Sequence, residues 1–207
     1  IELVDEWDVM GMRQTVSQSV RVTDLHVTPE MVIGAPGAWV QSDPRTFTLA
    51  FAANHVGVAR AALDFCLDWV RERPYLADSD LVQAALGEMA AQVHGARSAI
   101  RATAETWDRG DWSLGEIQSL ATVHLAKHTV LDVTQRAFDV CGARTSFRSF
   151  PLEAWFRDAR TLTLHVRDDM QMRELGRSLL AGGEMAKSAL DTSVLPAPSR
   201  LAAGSNA

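Results

Sequence analysis

Four groups of side chains in these 207 residues have types and spacings that bear on chemistry. His124 and His128 stand one helical turn apart, a spacing at which two imidazoles can share a metal ion. No glutamate sits between them and no third ligand follows at a recognisable spacing, so they are expected at a helix surface or interface, with no metal. Arg157 and Asp158 are adjacent. Either could touch a substrate, but the arginine fork suits a structural ion pair at the end of an element. Cys66 and Cys141 are far apart in a chain without a signal-peptide pattern and read as reduced core thiols of a cytosolic protein. His165 closes the stretch Thr161-Leu-Thr-Leu-His165 and carries an imidazole, a side chain able to donate a hydrogen bond or move a proton; the alternative is a partly buried structural histidine. No Gly-rich phosphate loop and no supported Ser-His-Asp arrangement occurs, so ATPase and hydrolase chemistry have no basis here.

Long helices must position these groups. Hydrophobic residues make up 47% and charged residues 22%, ordinary values for a folded globular chain. From Ile1 to Ile33 the pattern is strand-like, densest in β-branched residues from Val20 to Val27. The Gly34-Ala-Pro-Gly-Ala38 stretch breaks it, and the rest reads as helical. A first helix is expected from Ser42-Asp43-Pro44, with Leu49, Ala52, Val56, Ala59, Leu63, Cys66 and Val70 on one face and a charged break at Arg71-Glu-Arg-Pro74. A second should open at Asp78-Ser-Asp80 and carry an apolar seam from Val82 to Trp107, with Gly110 stopping it. A third is expected from a capping box at Ser113-Leu-Gly-Glu116 to Gly142, and an interrupted fourth region from Pro151 to Leu180. Trp107, Met170, Met172 and Met185 read as packing residues.

The fold class that follows is mainly α, an up-and-down four-helix bundle preceded by a short β segment. The expected division is 1–41 for the last strands of a β domain, 42–182 for the bundle and 183–207 for a mobile tail. With no initiator Met at Ile1, the chain is expected to begin inside a longer protein. A net charge of −6 offers no field for nucleic acid or an anionic bilayer. Arg60, Asp64 and Asp68 interrupt the apolar stretch from Phe47 to Val70 and rule it out as a membrane span.

Several segments, in order, resemble the acyl-CoA dehydrogenase superfamily. Trp7-Asp-Val-Met-Gly-Met-Arg13, Ser17 to Val20 and Val22 to Val27 look like the last strands of its middle domain. Ala53-Asn-His-Val-Gly-Val-Ala-Arg-Ala-Ala-Leu63 resembles its first bundle helix, where a glycine such as Gly57 admits a neighbouring helix, and Gln83 to Arg97 resembles the second. Cys141-Gly-Ala143 and Pro151-Leu-Glu-Ala-Trp-Phe-Arg-Asp-Ala-Arg160 are similar to the family's glycine turn and arginine-aspartate element.

The resemblance implies a flavin-dependent oxidoreductase of which this is the C-terminal half, with FAD, or alternatively FMN, held between a β domain and bundles of a homotetramer or dimer. Arg73 matches the arginine that reaches flavin phosphates of a neighbouring subunit, although Leu76-Ala77 replaces the phenylalanine-glycine that follows it in the family. Gly142 and Ala143 match the flavin-side glycine turn, with alanine in place of the second glycine. Typical dehydrogenases carry a glutamate base where Val166 stands, and valine cannot accept a proton. Thr161-Leu-Thr-Leu-His165 instead resembles the flavin monooxygenases of the same superfamily, in which a histidine near the flavin donates a hydrogen bond or moves a proton. Two activities are therefore expected in alternative: an acyl-CoA dehydrogenase-like enzyme with an electron-transfer partner, or a monooxygenase supplied by a flavin reductase, either acting on a small molecule. A helical oligomerisation module without chemistry is the third reading.

Overall fold

The structure, a computed structural model, describes residues 1–38, 46–165 and 167–182. The expected helix start at Asp43-Pro44, the residue Val166, the methionine Met185 and the tail lie outside the described residues.

Two three-residue strands, β1 (Glu2–Val4) and β2 (Ser19–Arg21), pair antiparallel with Leu3 opposite Val20. Helix α1 (Thr46–Arg71) is followed by a single turn α2 (Pro74–Ala77), then α3 (Asp80–Asp108), α4 (Trp112–Cys141), α5 (Leu152–Thr163) and α6 (Asp168–Leu180). Helix α4 is the axis: α1, α3, α5 and α6 all pack on it, and α1 also meets α3 and α5. The fourth helical region is thus two helices, broken after Thr163 and resumed at Asp168.

The apolar periodicity fixes this packing. Ala52, Val56, Ala59, Leu63, Cys66 and Val70 on α1 and Met89, Val93 and Ala96 on α3 meet Val123, Ala126, Val130, Val133 and Ala137 on α4 in one core. The α3 seam continues with Thr103, whose hydroxyl lies 2.8 Å from that of Thr122, and Trp107, which donates to Ser119 Oγ at 2.9 Å. These hydroxyls and the indole N–H are therefore paired across the α3–α4 contact. No helix among the described residues is long and apolar enough to cross a membrane.

Several local expectations are corrected. Val22 to Val27 forms no strand, and β-branched content without a pairing edge does not make one. Trp7 to Arg13 is also not a strand; it is a loop that docks on α5, ending in a 3-10 turn at Arg13–Thr15. The capping box at Ser113 gives way to Asp111, whose side chain accepts from the Leu114 N–H at 3.3 Å, so α4 starts at Trp112. Helix α3 does start within the expected Asp78-Ser-Asp80 segment, at Asp80. Met170 is half exposed and not a packing residue. Among the described residues outside its own helical turn, none would lie within 4 Å of a Cβ at Gly57.

The Arg157-Asp158 pair serves as a clasp. Arg157 forms a two-pronged ion pair with Glu153 at 2.8 and 3.0 Å and donates to the Met10 carbonyl at 2.6 Å. Asp158 accepts from the Met12 N–H. Gly11 lies between these contacts because a Cβ would fall 2.2 Å from the Arg157 carbonyl oxygen.

Candidate functional site

The end of helix α1 builds one end of the site. Arg73 follows the last turn of α1, and its carbonyl accepts from Leu76 and Ala77 to open α2. Its guanidinium carbon lies 3.6 Å from the centroid of a Trp69 ring, and Nη1 donates to the Trp69 carbonyl at 2.6 Å. The cation is thus held on an aromatic face, a contact that orients guanidinium planes well. At the far end of α4, Gly142 takes φ +82°, which favours glycine, and its N–H donates to the Phe138 carbonyl at 2.7 Å. Ala143 then opens a 3-10 turn to Ser146.

Arg73, Gly142 and Ala143 line one cleft of about 760 Å³ whose apolar wall is Phe65, Trp69 and Phe150. Arg144 adds a second cation, and Asp68 and Glu72 add carboxylates. Arg71 engages Asp68 at 2.8 Å, while Glu72 stands 3.5 Å from Arg73. Among the described residues none lies within 4 Å of a Cβ built on Gly142, so main chain can be approached there without one of their side chains intervening. The donor set, two guanidiniums beside open main chain and aromatic faces, fits the phosphate-bearing portion of a flavin.

Cys66 and Cys141 meet under this cleft, their Sγ atoms 3.5 Å apart and both buried. They are free thiols, and the partner sulfur together with burial pushes the Cys66 thiol up, which keeps it protonated.

His165 is not part of that cleft. It follows α5, its N–H donates to the Leu162 carbonyl at 3.1 Å, and its exposed ring sits 4.8 Å, centroid to centroid, from Phe51 of α1. Phe51 and Trp69 are 18 residues apart on one helix, so the two groups are separated by roughly 27 Å at 1.5 Å per residue. The four residues named for the cofactor divide between opposite ends of the bundle: Arg73, Gly142 and Ala143 at one, His165 at the other.

Near the His165 end lies a polar cluster that sequence reasoning missed. His55 on α1 is buried, its Nδ1 has no hydrogen-bond partner, and burial, assisted by the Lys127 charge, pushes its pKa down to about 4. Lys127 on α4 is also buried; it donates to Gln171 Oε1 at 3.0 Å and stands 3.8 Å from Asp168 Oδ1. Burial pulls its pKa down and Asp168 partly restores it. Asp168 Oδ2 lies 2.8 Å from His124 Nδ1 and 3.4 Å from His128 Nε2. The i, i+4 histidines were visible in the sequence, but Asp168 is 40 residues further on and reaches them only because α6 folds back on α4.

Comparison with known proteins settles the lineage. Residues 49–169 match the Acyl-CoA dehydrogenase, C-terminal domain family. The chain belongs to the acyl-CoA dehydrogenase family. It is 30% identical over 207 aligned residues to a dibenzothiophene monooxygenase of Rhodococcus erythropolis, covering 86% of this chain and 49% of that protein. The probable acyl-CoA dehydrogenase FadE25 of Mycobacterium tuberculosis is 26% identical over 83% of this chain and 46% of its own length. Among solved structures, the dibenzothiophene monooxygenase TdsC of Paenibacillus sp. A11-2 superposes with a TM-score of 0.76 at 30% identity, over 86% of this chain and 52% of that one. The same protein in complex with FMN and indole gives 0.77 at 28% identity, over 86% of this chain and 51% of that one. The chain spans about half the length of the curated relatives it matches.

Proposed function

We propose that the intact protein is a flavin-dependent oxidoreductase and that, of the two activities open to this family, it is an oxygen-using monooxygenase. The observation that carries this reading is His165, held exposed against Phe51 at the start of the α5–α6 connection. Val166, the next residue, occupies the place of the dehydrogenase glutamate and offers no basic atom. An imidazole in that position can donate a hydrogen bond to, or exchange a proton with, a reacting group. The similarity to proteins named dibenzothiophene monooxygenase supports the same choice and supports a small aromatic heterocycle as the substrate class.

Arg73 would bind a flavin phosphate, with Arg144 beside it, while Gly142 and Ala143 allow the cofactor close to main chain. Because His165 is at the other end of the bundle, each end would complete a different flavin site, and a homodimer or homotetramer follows as the working form. The bound cofactor, FAD or FMN, would supply the redox chemistry, with reducing equivalents from a separate reductase; a cytoplasmic setting suits that exchange. The dehydrogenase reading, with acyl-CoA as substrate, rests on the family as a whole.

Oxygen dependence separates the two. The intact protein, given reduced flavin and a dibenzothiophene- or indole-like substrate, should place one atom of labelled O₂ in the product. Anaerobic turnover of an acyl-CoA with an artificial electron acceptor would overturn the monooxygenase assignment, and failure to bind flavin at all would favour a pure assembly module.

A further inference from the structure

We infer that His124, His128 and Asp168 form a binding site for a borderline divalent cation, of the Zn²⁺, Co²⁺ or Ni²⁺ class, which clips α6 to α4. The site is independent of the flavin assignment. Its three ligand atoms, one from each residue, all lie within 4.8 Å of one another. Two of the separations are 2.8 and 3.4 Å, both to the same carboxylate oxygen, Asp168 Oδ2. Tetrahedral bonds of about 2.0–2.1 Å place neighbouring ligand atoms roughly 3.3 Å apart, so side-chain torsions alone can close the trio on an ion. Two imidazoles with one carboxylate select a borderline metal over Mg²⁺ or Ca²⁺, which favour all-oxygen shells.

A second observation concerns how the carboxylate is aimed. Asp168 Oδ1 is buried and makes no hydrogen bond. The Lys127 ammonium, 3.8 Å away and itself tied to Gln171, faces that oxygen and leaves Oδ2 to the histidines. Such an outer group orients a ligating carboxylate. The Lys127 charge also repels a cation and so weakens its binding. Access is open, since the His128 side chain is 62% exposed and the rim of the site is solvent. Asp168 is the first residue of α6, so an ion here would fasten the start of that helix to α4, three residues beyond His165.

The test is a Co²⁺ and Zn²⁺ titration of the untagged, metal-free protein. One Co²⁺ should bind per chain with visible ligand-field bands and no thiolate-to-cobalt charge transfer, and saturating Zn²⁺ should raise Tm. His128→Ala, at an exposed position that leaves the fold intact, and Asp168→Asn should each weaken Co²⁺ binding by at least about tenfold. Absence of binding at millimolar metal, unchanged affinity in His128→Ala, or a thiolate band placing the ion at Cys66 and Cys141 would each overturn the site.

Discussion

Helix α4 buries fifteen of its residues, from Gly115 to Cys141, whereas residues 1–33 bury Gly11 alone. The bundle closes on itself: α1, α3 and α5 each bring apolar residues to the same axis, where the hydrophobic effect acts over a continuous core, while α6 meets α4 through the buried polar residues Gln171 and Ser178. The N-terminal segment has no core. Ile1, Val20, Val27 and Ile33 are exposed, two short strands pair only with each other, and the segment holds to the bundle through the loop that Arg157 and Asp158 grip. A two-stranded ribbon of this size is marginal by itself, so its position depends on polar contacts and one glycine rather than on burial.

The contrast can be broken from the bundle side first. Met89 is fully buried between α1, α3 and α4, and Met89→Ala should destabilise the whole molecule by about 3 kcal/mol. Chemical denaturation should show one cooperative transition moved to lower denaturant; a loss confined to one helix would mean the bundle is not a single unit.

Acid should act on the same core through His55. Its pKa falls from 6.5 to about 4 on folding, so between those values the unfolded chain binds the extra proton. The stability owed to the neutral imidazole is complete above pH 6.5 and drains away, by up to about 3 kcal/mol, as pH drops towards 4. Replacing His55 with Leu should flatten stability against pH in that window, measured as denaturation midpoints at several pH values; an unaltered slope would show that other groups govern acid sensitivity.

The smallest global effect belongs to the clasp. Gly11→Val would drive a side chain into the Arg157 carbonyl. It should release the loop to rapid amide exchange and proteolysis while the helical circular dichroism and the bundle's denaturation midpoint stay close to wild type. A matching collapse of the helices would show that the segment is integral to the core.

What could be read from the residues follows the same division. The α1 and α3 stripes were legible because period 3.6 survives in any helix with one buried face, and Val82 to Trp107 kept that period over seven turns. Gly142 was legible as a helix end for the same local reason, its positive φ. The strand at Val22 to Val27 was not, since strand formation needs a partner edge that composition does not reveal. Asp111 displaced Ser113 as the cap of α4 because the choice among adjacent capping residues is made by the incoming chain path. The site was legible by halves. Arg73, Gly142 and Ala143 came from matched segments and do share a cleft, but their separation from His165 along α1 is a property of the fold. His55, Lys127 and Asp168 converge from α1, α4 and α6, and no local pattern announces a contact between residues that far apart.

Flavin affinity of the intact protein and of its Arg73→Ala variant, followed by equilibrium titration, is the decisive measurement. A charge-assisted contact to phosphate contributes about 1.5–3 kcal/mol, so the variant should bind at least about tenfold more weakly while remaining folded. A wild-type protein that binds no flavin, or a variant that binds it equally well, would contradict the assignment of this cleft.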